Sequence, residues 1–369
     1  MRSKVTPPTS ISKLLPMKNR RSLRILSATI AVGALLVFSG CATTPGKLSA
    51  RKGDEIIVAG QLFHTGTPVV TWMDPGGYDA YRVERRFGPF DESSYEKTVA
   101  AAKDITTPNR YSARTNTLSP DEIEKIRGGG WTLPQLQQVV DQFVLHYDVC
   151  GLSKICFNVL HDHRGLSIHF MVDIDGTIYQ TLDLKERARH ATTSNNRSIG
   201  IEIANMGAYA PGNTKVLDEW YQRDAQGRLA IKIPARVGDP MLRVKNFTGR
   251  PARPDLVRGV VQGQELVQYD FTPEQYAALI KLTAALCKIF PQIKPDFPRG
   301  PDGQVLPHKL PDAELAAFKG VLGHYHIQTN KTDPGPALQW DKVIDGARRL
   351  LRLPKIKRPA ASAQTPGQP

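Results

Sequence analysis

Cysteine is scarce, with four residues in a chain of 369. There is no internal repeat, which excludes a solenoid or propeller. Nothing resembles a nucleic-acid-binding motif, although the formal charge is +14. The longest apolar run, Ile25 to Gly40, is too short for an ordinary transmembrane helix. Acidic residues are outnumbered, 35 against 49 Lys and Arg, yet seven of those cations and no acid fall within residues 1–40. Without that segment the charge is +7. Half of the basic excess is therefore local to the N-terminus, and the remainder suits an anionic surface. With 40% hydrophobic residues, most of the chain can fold around a real core.

The N-terminal segment reads as an export signal. "MKNRRSLR" from Met17 is basic, and an apolar stretch follows it up to Cys41. Phe38-Ser39-Gly40-Cys41 resembles the lipobox of bacterial lipoproteins. That resemblance implies cleavage before Cys41, a lipid on its sulfur and a membrane anchor. Ala42 lacks the acidic character that commonly retains such proteins at an inner membrane, so the expected location is the outer membrane, facing the periplasm. A tether is expected over 42–60 and a main domain over 61–353, with an N-terminal extension over 61–133 and an insertion over about 207–266. The Pro/Ala/Gln-rich tail, 354–369, reads as disordered.

Cys150 and Cys156 stand close together in "CGLSKIC". In an exported chain such a pair is read as a small disulfide loop rather than a redox or metal site. Cys287 falls at an apolar position of a helical pattern over 272–290 that opens with Thr272, Pro273 and Gln275, a capping box, and it reads as an inert core thiol. Further helices are expected at 134–142 and 341–352. "FVLHYD" (143–148) and "SIGIEIAN" (198–205) alternate as strands, and 168–183 reads as a hairpin turning at Asp175-Gly176. The expected class is α/β, a central mixed sheet flanked by helices.

Two polar side chains stand out on those strands. His146 lies opposite the Phe143/Leu145/Tyr147 face, and Glu202 lies opposite Ile199, Ile201 and Ile203. A carboxylate among apolar neighbours is costly to bury unless it is paired or used. The loop "GHYHIQTNKTDPGP" (323–336) supplies partners: His146, His324 and Asp333 would give two neutral imidazoles and one carboxylate, a plausible catalytic zinc set with a fourth position for water. Lys331 can sit beside such a metal and stabilise a developing oxyanion.

The order "VLHYD", "GLSIHFMVDIDGTIYQ", "RARHA", "IGIEIAN" and "GHYHIQTNKTDPGP" resembles the zinc-dependent N-acetylmuramoyl-L-alanine amidases, which share their fold with peptidoglycan recognition proteins. The resemblance covers roughly 140–210 and 270–350. It implies Zn²⁺ on His146, His324 and Asp333, Glu202 as the catalytic carboxylate and Lys331 as the catalytic lysine. His190 matches a histidine near the substrate cleft. The Cys150/Cys156 pair resembles the small disulfide of the recognition-protein branch. The implied activity is hydrolysis of the amide between N-acetylmuramic acid and L-alanine in peptidoglycan or muropeptides, by a monomer that binds no nucleic acid. Relatives that bind peptidoglycan without cutting it are the alternative; they typically lose a zinc ligand. His169 reads as structural, and His161, His163 and His326 as polar surface groups or supports to the site.

Overall fold

Six strands form the central sheet: β3 (Val69–Thr71), β5 (Gln142–Tyr147), β6 (Phe170–Val172), β7 (Ile178–Gln180), β9 (Ser198–Ile203) and β14 (Gly320–Gly323). They are ordered β14-β5-β9-β6-β7-β3. The pairs β14/β5, β5/β9, β9/β6 and β3/β7 are parallel, and β6/β7 is the one antiparallel pair, so the sheet is mixed. The protein is seen in a computed structural model that describes residues 45–46, 48–81, 111–114, 118–127 and 130–356. Cys41 and the apolar run before it, and the tail beyond Ile356, lie outside the described residues. The chain divides into two units, Met1–Ala50 and Arg51–Pro369, and the second holds every element named here.

The remaining strands are β1 (Glu55–Val58), β2 (Gln61–His64), β4 (Tyr111–Ser112), β8 (Arg187–Ala188), β10 (Tyr221–Arg223), β11 (Leu229–Ile231), β12 (Val257–Val261) and β13 (Gln264–Gln268). The helices are α1 (Pro120–Arg127), α2 (Leu133–Val139), α3 (Ser153–Phe157), α4 (Lys215–Trp220), α5 (Pro273–Ile289), α6 (Asp312–Ala317) and α7 (Trp340–Leu350). A π-helical turn, Asn158–His163, extends α3. Among the described residues no helix is long and apolar enough to cross a membrane.

Alternation explains how the sheet is covered. Phe143, Leu145, Ile199, Ile201, Ile203, Phe170 and Val172 pack with Leu279, Leu282 and Leu286 of α5 and with Val343 and Ile344 of α7. Val144 turns to the other face, with Leu310, Leu315 and Leu322. Both faces of the parallel strands are thus buried, as expected in an α/β protein. The α5 capping box forms as the sequence predicts: Thr272 Oγ1 accepts the Gln275 amide at 3.1 Å, and Gln275 Oε1 accepts the Thr272 amide at 2.9 Å. The hairpin turns where expected, with Gly176 at φ +81°.

Two expectations are corrected. The tether does not run to residue 60, because β1 belongs to the core, with Ile56 and Val58 fully buried. The Gln180 side chain clamps it: Oε1 accepts the Ile57 amide and Nε2 donates to the Ile57 carbonyl, both at 2.8 Å. Four apolar-leaning residues in a row carry no period from which to read this. Second, Cys150 and Cys156 are free thiols rather than a disulfide. Cys156 is buried and Cys150 half-buried, and burial pushes the Cys156 thiol well above its ordinary range. Cys287 is buried in α5, and burial pushes its thiol up to about 12.

α5 and α7 cross at a glycine. A Cβ added to Gly346 would sit 2.8 Å from Ile280 Cδ1 and Cγ1 and 2.9 Å from Cγ2. Gly→Ala inside a helix ordinarily gains about 1 kcal/mol, whereas overpacking costs about 1–3 kcal/mol. The clash here involves atoms near the Ile280 backbone and should win. Gly346→Ala should therefore lower the unfolding free energy in urea by about 1 kcal/mol, and adding Ile280→Val should recover part of the loss. A stabilised Gly346→Ala would show that the crossing has slack.

Candidate metal centre

In open α/β sheets, sites form beyond the C-terminal ends of parallel strands. β5, β9 and β14 all end at the same edge here. The register sets His146 directly beside Glu202. β14 stops one pair earlier, with Gly323 against Leu145, and the chain enters the turn His324–His326 at once. His324 thereby arrives next to His146, with ring centroids 4.5 Å apart. The loop then returns Asp333 to the same spot. Two bonds pin it: the Tyr325 amide donates to the Asp333 carbonyl at 3.2 Å, and the Tyr147 and Thr332 hydroxyls meet at 2.6 Å.

Asp333 Oδ2 lies 2.8 Å from His146 Nδ1 and 3.0 Å from His324 Nδ1, and all three side chains are buried. The outer ring nitrogens are also engaged. His324 Nε2 is 2.6 Å from Gln328 Oε1, and His146 Nε2 is 3.0 Å from His190 Nδ1. Gln328 Oε1 can only accept, so His324 carries its proton on Nε2. In its neutral form the ring then turns the Nδ1 lone pair toward a carboxylate oxygen, acceptor against acceptor. A cation between them resolves that conflict. The three ligand atoms lie within 4.8 Å of one another, and two imidazoles with one carboxylate are a donor set that suits Zn²⁺. The residues fit the metal.

Electrostatics agree. Burial, reinforced by His324, pushes the His146 imidazole down to about 4, leaving it neutral near pH 7 as a ligand must be. Burial opposes ionisation of Asp333, but the two histidines outweigh it and hold its carboxyl below the usual range. Glu202 behaves oppositely: burial, with Asp333 and Asp148 nearby, pushes its carboxyl well above the usual range. Its Oε2 is buried and finds no hydrogen-bond partner among the described residues. Asp148 is itself buried. Its Oδ1 accepts the amides of Cys150, Gly151 and Asn205, and burial pushes its carboxyl up to about 6.

These groups share one cleft of about 350 Å³, lined by His146, Glu202, His324, Lys331 and Asp333, with Arg164, Arg189 and His190 on its walls. Val159, Leu160 and Leu166 give it an apolar side. All six sequence-derived candidates of the main domain, His146, His190, Glu202, His324, Lys331 and Asp333, therefore meet in the fold. His190 does more than border the cleft. Its ring bridges His146 and Ser198 Oγ, the latter at 3.2 Å. Gly200 makes room for it, since a Cβ there would lie 2.4 Å from His190 Nδ1. His161 and His326 are buried, not surface groups; His326 Nδ1 accepts the Gly323 amide at 2.8 Å and Nε2 donates to the Leu306 carbonyl at 2.8 Å. Sequence reasoning missed Gln328, Ser198 and Asn195. The four-residue spacing of Gln328 from His324 was the one available signal.

The profile of the N-acetylmuramoyl-L-alanine amidase family matches residues 136–336, more than half of the chain. The chain belongs to this family. Among solved structures, this amidase-family chain is similar to a selenomethionine derivative of AmpD, at 16% identity over 64% of this chain and 90% of that one, with a TM-score of 0.30. It is also similar to the amidase AmiD from E. coli in complex with anhydro-N-acetylmuramic acid-L-Ala-D-γ-Glu-L-Lys, at 20% identity over 56% and 57%, with a TM-score of 0.32. The endolysin LysCS from Clostridium intestinale URNW gives 15% identity over 59% and 88%, with a TM-score of 0.30. No curated protein matches.

The partner of His324 offers a test. A histidine ligand whose outer N–H loses its acceptor typically costs about 10–100-fold in metal affinity. Gln328→Ala should therefore weaken Zn²⁺ binding, read by competition with a chromophoric chelator, by about tenfold, while Gln328→Glu should preserve it. Unchanged affinity in Gln328→Ala would remove Gln328 from the account of the centre.

Proposed function

We propose that the chain cleaves the amide between the lactyl group of N-acetylmuramic acid and L-alanine in peptidoglycan or its fragments, with Zn²⁺ held by His146, His324 and Asp333. The observation that carries this reading is the convergence of two imidazole Nδ1 atoms on one Asp333 oxygen, at 2.8 and 3.0 Å, beside the buried Glu202 carboxyl. Zn²⁺ bound there supplies Lewis acidity, polarising a carbonyl and lowering the pKa of water from about 16 toward about 7.

The chain's own groups divide the remaining work. Glu202 takes a proton from the attacking water. Burial raises its carboxyl, which makes the carboxylate a stronger base than an exposed one. Lys331 donates to the oxygen that gains charge when the substrate carbonyl becomes tetrahedral. Glu202 then returns its proton to the departing L-alanine nitrogen. Burial of the site strengthens each of these interactions. Gln328 and His190 keep the imidazoles oriented.

Glu202→Gln separates an enzyme from a binding module. It preserves shape and can still hydrogen-bond, but it cannot accept the proton. The variant should fold, hold Zn²⁺ and bind sacculi as the wild type does, while turnover falls by at least about a hundredfold. Chelation should abolish turnover in the wild type, and Zn²⁺ should restore it. Full activity without metal would rule out the reading; loss of Zn²⁺ from Glu202→Gln would make Glu202 a ligand and the ligand set wrong.

A further inference from the structure

Arg114 is fully buried, yet among the described residues no carboxylate forms an ion pair with it. Its guanidinium is spent on carbonyls. Nε and Nη2 donate to Leu184 O at 3.3 and 3.1 Å, and Nη1 donates to the carbonyls of Asn195, Asn196 and Ser198 at 3.2, 2.9 and 3.0 Å. His169 packs beside it, 3.1 Å away. That contact is packing rather than a bond, since His169 Nδ1 accepts the Gly200 amide at 3.1 Å and Nε2 donates to the Glu186 carbonyl at 3.0 Å. Glu186 and Asp183 act on the charge only from beyond ion-pair distance; a buried charge without a contacting counter-ion is costly unless hydrogen bonds compensate it, and an apolar residue could fill the same space. Holding these four carbonyls is what only a guanidinium fork can do.

What they hold is the wall that carries His190. Asn195, held through its carbonyl, turns its side-chain Oδ1 to the amides of His190 and Ala191, at 3.0 and 2.6 Å. Ser198, likewise held, presents Oγ to His190 Nε2 at 3.2 Å. Both the backbone and the ring of His190 thus rest on residues that Arg114 fixes, and His190 Nδ1 meets His146 Nε2 at 3.0 Å. The segment bearing Arg114 lies along this wall, as β4 pairs with β8, Tyr111 against Ala188 and Ser112 against Arg187. It also lies upstream of residues 136–336, the part that matches the amidase family.

We propose that Arg114 is a positioning residue for the metal centre: the N-terminal extension delivers a guanidinium that fixes Asn195 and Ser198, and through them holds His190 against His146. This rests on the amidase reading for its effect on turnover, but not for its effect on His190. The extension is then part of the working site rather than an appendage.

The test compares wild type, Arg114→Lys, Arg114→Met and Ser198→Ala in the full chain. Arg114→Lys keeps the charge but cannot reach all four carbonyls. It should fold by circular dichroism, exchange the His190 and Ala191 amides at least about tenfold faster, and bind Zn²⁺ about tenfold more weakly. On a muropeptide, kcat should fall with KM nearly unchanged, because Arg114 touches no substrate. Arg114→Lys combined with Ser198→Ala should lose little more than the larger single change, as expected when two residues act through one group. A folded Arg114→Lys with wild-type exchange and Zn²⁺ affinity overturns the proposal. So does failure of both Arg114 variants to fold, which would make the residue purely structural. A wild type that releases no peptide would sink the amidase reading alone, because amide exchange still judges Arg114.

Discussion

Asp333 Oδ2 faces two imidazole nitrogens at once, His146 Nδ1 at 2.8 Å and His324 Nδ1 at 3.0 Å. A buried carboxylate in that position is satisfied by an Nδ1 proton on each ring or by a cation among the three. Gln328 decides for the cation in a neutral His324, because it already claims the Nε2 proton. The surrounding architecture serves to keep this triple contact in place. Parallel pairing brings β5 and β14 to a common edge, the Tyr147–Thr332 contact ties down the returning loop, and each outer ring nitrogen has its own partner. Glu202 gains its raised carboxyl from the same burial, one strand away.

The sheet and the cluster of His146, His324 and Asp333 were largely legible in the sequence for a simple reason: both rest on local patterns. The period of two over 143–148 and 198–203 marks which side chains share a face, so His146 and Glu202 stand out against the apolar face behind them. The loop from His324 to Asp333 concentrates its chemistry within ten residues. The capping box at Thr272 fixes where α5 begins. These features need no knowledge of distant contacts.

What could not be read depends on long-range packing. β1 is a strand because Gln180, more than a hundred residues away, clamps Ile57. Arg114 looks like any surface arginine until β4 lays it under the loop that ends at Ser198. Ser198 and Asn195 gain meaning only once His190 is placed between them and His146. The Cys150/Cys156 pairing failed for a related reason. Spacing permits a small loop, but it does not dictate how the turn sets the two thiols, and both are left free. Residues 207–266 also contribute to the fold, since Leu217, Trp220 and Leu229 close an apolar cluster with Ile174 and Met206 beside the sheet.

Which bond is cut can be read from the products. Purified sacculi would be digested with the Zn²⁺-loaded protein and the soluble fraction read by mass spectrometry. Free stem peptides whose N-terminus is L-alanine are expected, together with glycan stripped of peptide. Release of disaccharide-linked muropeptides, or of peptides beginning at a later residue, would contradict it.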